Sequence, residues 1–297
     1  MVNYSKTYLD PSEQVNLLIS RGLVIDNSNK TQQYLKRIGY YRMSAYLYPL
    51  LSTPKEAHVY KKGSSFNQAL NLYRFDRQLR LLIFNQIEKI EIAVRAAMVN
   101  VMNKETEDPF WMTNPIHFAN ITKFNKSIQK IQQEYNKSCE DFIEHFRNTY
   151  DNPFPPSWML AEILPLGVLT RIYENIKVNR YRKKIALEFN LNIPVFTSWM
   201  TIITVTRNNC CHHARIWNRV FTLRALLLSH YTRPWISDTI QQGKIFFTLC
   251  IIKYLMDAIV PENDMTTKLR WLFVEYSNID LSAMGFPKNW EMEPLWQ

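Results

Sequence analysis

A chain of 297 residues with 46% hydrophobic content is long enough to bury a real core in one large domain or two small ones. Lys and Arg total 36 against 26 Asp and Glu, and the resulting net charge of +10 suggests a polyanionic partner. No run of about 18 apolar residues is available to span a bilayer, and the opening stretch Met1-Val2-Asn3-Tyr4-Ser5-Lys6 has no apolar signal core, so neither a membrane span nor export is expected.

Six glycines leave few turns of positive φ, which favours long helices with short connections. Asp10-Pro11-Ser12-Glu13 reads as a helix start, with an N-cap carboxylate, proline in the first turn and a capping-box glutamate; Gly22 closes that helix. Residues 29 to 51 predict two short helices broken around Gly39-Tyr40, and Thr53 to Ser65 predicts a loop. The longest helix is expected over residues 66 to 103, where Leu79, Ile83, Ile87, Ile90, Val94, Met98 and Val101 step by three or four. On it, Glu88, Glu91 and Arg95 share a face, and Asp76 and Arg80 stand four apart; both sets read as solvated i,i+4 pairs.

Residues 104 to 121 carry Asp108-Pro109, Asn114-Pro115 and several aromatics, the marks of an ordered connection. A polar helix is expected over 122 to 149, and Asn152-Pro153-Phe154-Pro155-Pro156 ends it and presets another near 157 to 177. Arg180, Arg182, Lys183 and Lys184 form the densest basic run, readable equally as a solvated helix end or as a phosphate-binding patch for RNA. Tyr40, Tyr41, Tyr46 and Tyr48 can stack on bases, although core and interface roles are commoner for such residues. Asn192-Ile193-Pro194 opens the next helix, and three more are expected at 217 to 230, 237 to 258 and 262 to 276, followed by a packed irregular tail from Ser282 to Gln297.

Within the helix that Asn192 opens stands Arg207-Asn208-Asn209-Cys210-Cys211-His212, a cation, an amide and an imidazole inside two turns. An imidazole, with an ordinary pKa of ~6.5, can take a proton from a ribose 2′-hydroxyl or give one to a leaving oxygen. A guanidinium can stabilise the extra negative charge on five-coordinate phosphorus. A bare Arg-x4-His arises by chance in about one chain in three of this composition, and requiring Asn after the Arg lowers that to roughly one in thirty-five. The similar pair Arg224 and His230 flanks Ala225-Leu226-Leu227-Leu228, which reads as the buried side of a helix and hence as a decoy. Asn208 and His212, four apart, share a face; Arg207 reaches from the flank, so two copies about a two-fold axis would surround a phosphate better than one, and a homodimer follows.

Cys210-Cys211-His212-His213 contains the ligand types zinc prefers, but successive helical side chains point about 100° apart and cannot close a tetrahedron. No metal or other cofactor is expected. The four cysteines show no paired framework, and a reducing cytoplasm is the simplest setting.

The stretch from Val205 through His212 to Arg219 resembles the signature of AbiD/AbiF-type abortive-infection proteins of the HEPN ribonuclease superfamily. So do Tyr34 to Arg42 with Tyr46, Tyr48 and Pro49, Phe75 to Arg80 running on to Ile90 to Arg95, and Pro156 to Glu162 with Leu166-Gly167, all in the family's order. The resemblance implies an RNA-cleaving site built from Arg-Asn-x3-His and a role in defence against phage. It places the reacting histidine at His212 and leaves His213 a supporting role. It also implies that a polar residue of the first long helix, Glu88 or Glu91, supports the pair. The expected protein is all-α, a HEPN-like bundle over residues 66–230 with an insertion at about 104–156, a helical extension at 1–65 and further helices at 231–297. The expected activity is metal-independent endoribonucleolysis. The alternatives are an RNA- or protein-binding module that cuts nothing, and a toxin silenced by an antitoxin RNA or protein.

Overall fold

In the computed structural model, which describes residue 3 and residues 7–237 and 240–297, local sequence signals place most helix starts. Asp10 caps α1 (Pro11–Ser20): its carboxylate accepts from the Ser12 and Glu13 amides while Glu13 reaches back to the Asp10 amide. Gly39, at φ +90°, turns the chain between α2 (Ser28–Ile38) and α3 (Tyr40–Leu47), a conformation that L side chains resist. The long helix α4 runs over Phe66–Thr106, and the expected stripe from Leu79 to Met98 is buried along it; Met102 rather than Val101 continues it. All six opening residues except Asn3 lie outside the described residues.

The described chain divides into two compact units. One holds the residues up to Arg80 with Arg270–Ile279, and the other holds Leu81–Leu269 with Asp280–Gln297. In the first, α1, α2 and α3 enclose Val15, Leu18, Leu35, Met43 and Leu47 with the start of α4. Phe75 packs edge-on against Tyr276 at 5.6 Å and lies 6.2 Å from Phe273. Asp76 and Arg80, expected on a solvated face, are instead buried at 0% and 5% exposure. They form an ion pair, and the Tyr46 hydroxyl donates to the same Asp76 oxygen at 2.6 Å. α3 covers this side of α4, so the periodicity that marks apolar positions also carries a polar pair inward.

In the second unit, α5 (Ile121–Lys137) and α6 (Asp141–Thr149) replace the single helix expected over 122–149. Arg147 folds back from α6 to donate to the carbonyls of Ser138 and Tyr135, its guanidinium 4.6 Å from the Tyr135 ring, which satisfies the end of α5. The helix expected over 157–177 is likewise two, α7 (Ser157–Ile163) and α8 (Leu166–Asn175). Pro165 breaks it by removing an amide and driving Leu164 to an extended ψ of 132°. The basic run opens α9 (Asn179–Leu187).

Asn192 caps α10 (Ile193–Cys211) through the Val195 amide at 2.9 Å. This helix packs on α8 closely enough that a Cβ on Gly167 would lie 3.2 Å from the Thr204 methyl. α11 (Ile245–Ile259) is buried almost all round, and α12 (Met265–Glu275) follows it. Residues 238 and 239 of the helix expected over 237–258 lie outside the described residues. Among the described residues there are twelve α-helices and no strand, an all-α protein as expected. The tail from Ser282 is three short 3-10 turns with Trp290, Leu295 and Trp296 buried.

The helix expected over 217–230 is absent; the chain runs irregularly along α10. Positive φ at His213 (+56°) and Asn218 (+48°) prevents α10 from continuing. Beyond them the backbone finds other partners: Phe221 donates to the Gly243 carbonyl, Ala225 to Gln242, and Leu226 to Ser198 while its carbonyl accepts from the Trp199 indole. Leu226 and Leu227 are about half exposed rather than buried as the sequence suggested, whereas Ala225 is buried.

Candidate functional site

Arg207 and Asn208 stand in the last two turns of α10, and His212 is its C-cap residue. His212 keeps the helical register, its amide donating to the Asn208 carbonyl at 2.9 Å, so the amide and imidazole side chains stand one turn apart, and both are exposed. His213 leaves the helix. Its amide donates to the Cys210 carbonyl at 3.1 Å, and the Ala214 amide donates to the Asn209 carbonyl at 2.9 Å. This is a Schellman turn with His213 in the left-handed position that glycine usually fills. Cys210 is buried, Cys211 half-buried and both histidines exposed, a spread of directions unlike that of a metal ligand set. Among the described residues no group of three His, Cys, Asp or Glu is placed to hold a metal ion.

Arg207 is half-buried, and its Nε lies 3.6 Å from a carboxylate oxygen of Glu91 on α4. Of the two glutamates left open by the sequence, the fold brings Glu91 to the arginine; Glu88 is exposed. The other Glu91 oxygen accepts from Arg95 Nη2 at 3.4 Å, and that nitrogen also donates to the Leu164 carbonyl at 3.3 Å. Pro165 breaks the helix at Leu164, and the carbonyl thus released helps to fix Arg95, which orients Glu91 against Arg207. Sequence spacing made the Glu91–Arg95 pair legible, but its closing contact comes from residues 69 positions away. Asn209, not foreseen as part of the site, accepts from Arg219 at 3.2 Å, which ties the irregular segment to the motif helix.

The basic run is partly spent within the protein. Arg180 and Lys184 both pair with Glu105, the former at 3.0 Å, and Lys184 followed by Arg180 holds the Glu105 carboxyl below the usual carboxylate range. Arg182 donates to the Glu174 carbonyl and to Asn179, and Lys183 is exposed. Of the four cations, Arg180, Lys183 and Lys184 are thus exposed and Arg182 is half-buried.

Together these features define a class: an all-helical protein presenting a cation, an amide and an imidazole at the end of one helix. Residues 33–218 match the family described as Abi-like protein, and the chain belongs to that family. Membership points to a role in abortive infection, the class of phage defence. No curated protein and no solved structure matches the chain. No helix among the described residues is long and apolar enough to cross a membrane.

Proposed function

We propose that this protein is a metal-independent endoribonuclease of the HEPN superfamily, acting in abortive infection as a homodimer with a composite site. The observation that supports the reading most is Arg207 beside exposed Asn208 and His212: a guanidinium that pairs with Glu91 at 3.6 Å while the imidazole remains accessible. A positioned cation suits charge that grows only in the transition state, and an accessible imidazole suits proton transfer to a bulky polymer.

In the proposed reaction the ribose 2′-oxygen attacks the adjacent phosphorus as one His212 imidazole takes its proton. Arg207 balances the charge on the phosphorane oxygens, and Asn208 orients phosphate or imidazole. The bond from phosphorus to the 5′-oxygen then breaks, and that oxygen receives a proton from an imidazolium. The products are a 2′,3′-cyclic phosphate and a 5′-hydroxyl, and no atom comes from water or a metal. One α10 supplies one imidazole at this position while the reaction uses a base and an acid, which favours two copies about an axis.

Cleavage of total RNA is expected to survive EDTA and to leave cyclic-phosphate ends. Loss on chelation, restored by magnesium and with 5′-phosphate ends, would show a two-metal mechanism instead. Mixing Arg207→Ala with His212→Ala subunits is expected to recover part of the activity that each lacks. A monomer cutting at full rate at every dilution eliminates the composite site.

A further inference from the structure

A second basic and aromatic surface lies wholly in the first unit. A groove of about 1120 Å³ is lined by residues of α1, α2 and α3 and of the segment around His58, among them Tyr40, Tyr41, Tyr48, Arg21 and Lys36. It exceeds the ~300–1,000 Å³ of ordinary small-molecule pockets, which suits a polymer. No carboxylate occurs among the described residues that line it. Residues 7–62 carry eight Lys and Arg against four Asp and Glu. Three of those four acids are held locally, Asp10 and Glu13 in the capping box of α1 and Asp26 by the Asn67 amide at 2.7 Å.

The rings are displayed rather than stored. Tyr41 is 92% exposed and Tyr48 54%, with Lys55 Nζ 5.5 Å from the Tyr48 ring centroid. Burial explains Tyr46 and Tyr60 as core residues, but it does not explain a phenol as open as Tyr41. Gly39 sets Tyr40 and Tyr41 at the head of α3, and Lys36 stands exposed one turn earlier at the end of α2. Aromatic faces beside cations, without opposing acids, match the alternation of bases and phosphates in an unpaired strand.

We propose that this groove binds single-stranded RNA, with bases stacking on Tyr41 and Tyr48 and phosphates held by Lys36 and Arg21. The choice of RNA over other strands rests on the ribonuclease reading above, while the groove itself does not depend on the Arg207 site. A duplex is disfavoured because its base faces are already stacked; Leu9, Pro11, Leu17, Leu35, Leu47 and Leu51 also line the groove, so an acidic peptide is included in the test.

The test is a fluorescence-anisotropy titration of a labelled 12-nucleotide unpaired RNA against the full chain carrying His212→Ala, so that nothing is cut. Adding Tyr41→Ala is expected to weaken binding on the order of 10-fold, as loss of one stacking ring does. Tyr41→Phe is expected to stay within about twofold, because the ring remains. Lys36→Glu should weaken binding further. Tyr41 and Lys36 are exposed, so unchanged melting temperatures serve as the control for folding. Unchanged affinity in the Tyr41→Ala and Lys36→Glu double variant overturns the proposal. So does equal binding of duplex RNA, of the deoxy strand, or of an acidic peptide. Wild-type cleavage with affinity indifferent to Tyr41 would remove the groove and leave the ribonuclease reading standing; RNA bound through Tyr41 by a wild-type chain that cuts nothing would do the reverse.

Discussion

His212→Ala is expected to slow RNA cleavage by at least the ~100-fold that loss of an acid–base group costs, with RNA affinity nearly unchanged. The neighbouring histidine needs a different substitution. His213 sits at φ +56° in the closing turn of α10, where alanine is strained and glycine is not. His213→Gly therefore removes the ring while easing the backbone, and it is expected to cost clearly less in rate than His212→Ala. Single-turnover rates of equally folded variants decide the matter. A larger loss in His213→Gly than in His212→Ala would reverse the assignment, whereas a loss in His213→Ala absent from His213→Gly would trace to the turn and not to the imidazole.

The largest expected loss of stability comes from Asp76→Ala. Removing one partner of a buried ion pair leaves a charge without its counterpart, at a cost of about 3–5 kcal/mol. Here Asp76 is fully buried, and the Arg80 guanidinium and Tyr46 hydroxyl both bind its Oδ2. Tyr46→Phe, which removes only a donor, is expected to cost about 1–2 kcal/mol. Asp76→Ala with Arg80→Met should recover much of the loss, because the pair is then replaced by apolar groups. Urea unfolding of the three variants measures this. A loss below about 1 kcal/mol in Asp76→Ala would mean that the pair behaves as a solvated one.

The contrast between those residues shows what the sequence could carry. Helix starts at Asp10 and Asn192 and the long stripe of α4 were legible because capping and periodicity act locally. The same logic misplaced Asp76 and Arg80, since i,i+4 spacing does not say which side of a helix another helix will cover. Tyr46 and Asp76 both lie in stretches that resemble the family. Their meeting 30 residues apart gives those stretches a structural role.

At the site, one-turn spacing was enough to align Asn208 with His212. The choice of Glu91 over Glu88 was not, because it depends on how α4 and α10 are set against each other. The irregular course after His213 was illegible for a similar reason. The leucines around Leu226 have helical propensity, but a reversed turn and side-chain partners on α10 compete for the same amides and carbonyls.

The pairing of cations with the protein's own carboxylates changes what the net charge of +10 means for the proposed association with RNA. Arg180 and Lys184 share Glu105, Arg95 and Arg207 share Glu91, and Lys253 and Lys268 each hold an aspartate. Such groups already have their compensating charge and displace few small ions from a polyanion. The dependence of affinity on ionic strength, roughly 0.7 logarithmic units per neutralised phosphate of a single strand, then counts chiefly exposed cations such as Lys36 and Lys183, which have no ion pair among the described residues. Long-range attraction follows the whole charge of the molecule, while ion release follows this smaller set. An RNA bound as proposed would thus be drawn in quickly and yet be held with a modest sensitivity to salt.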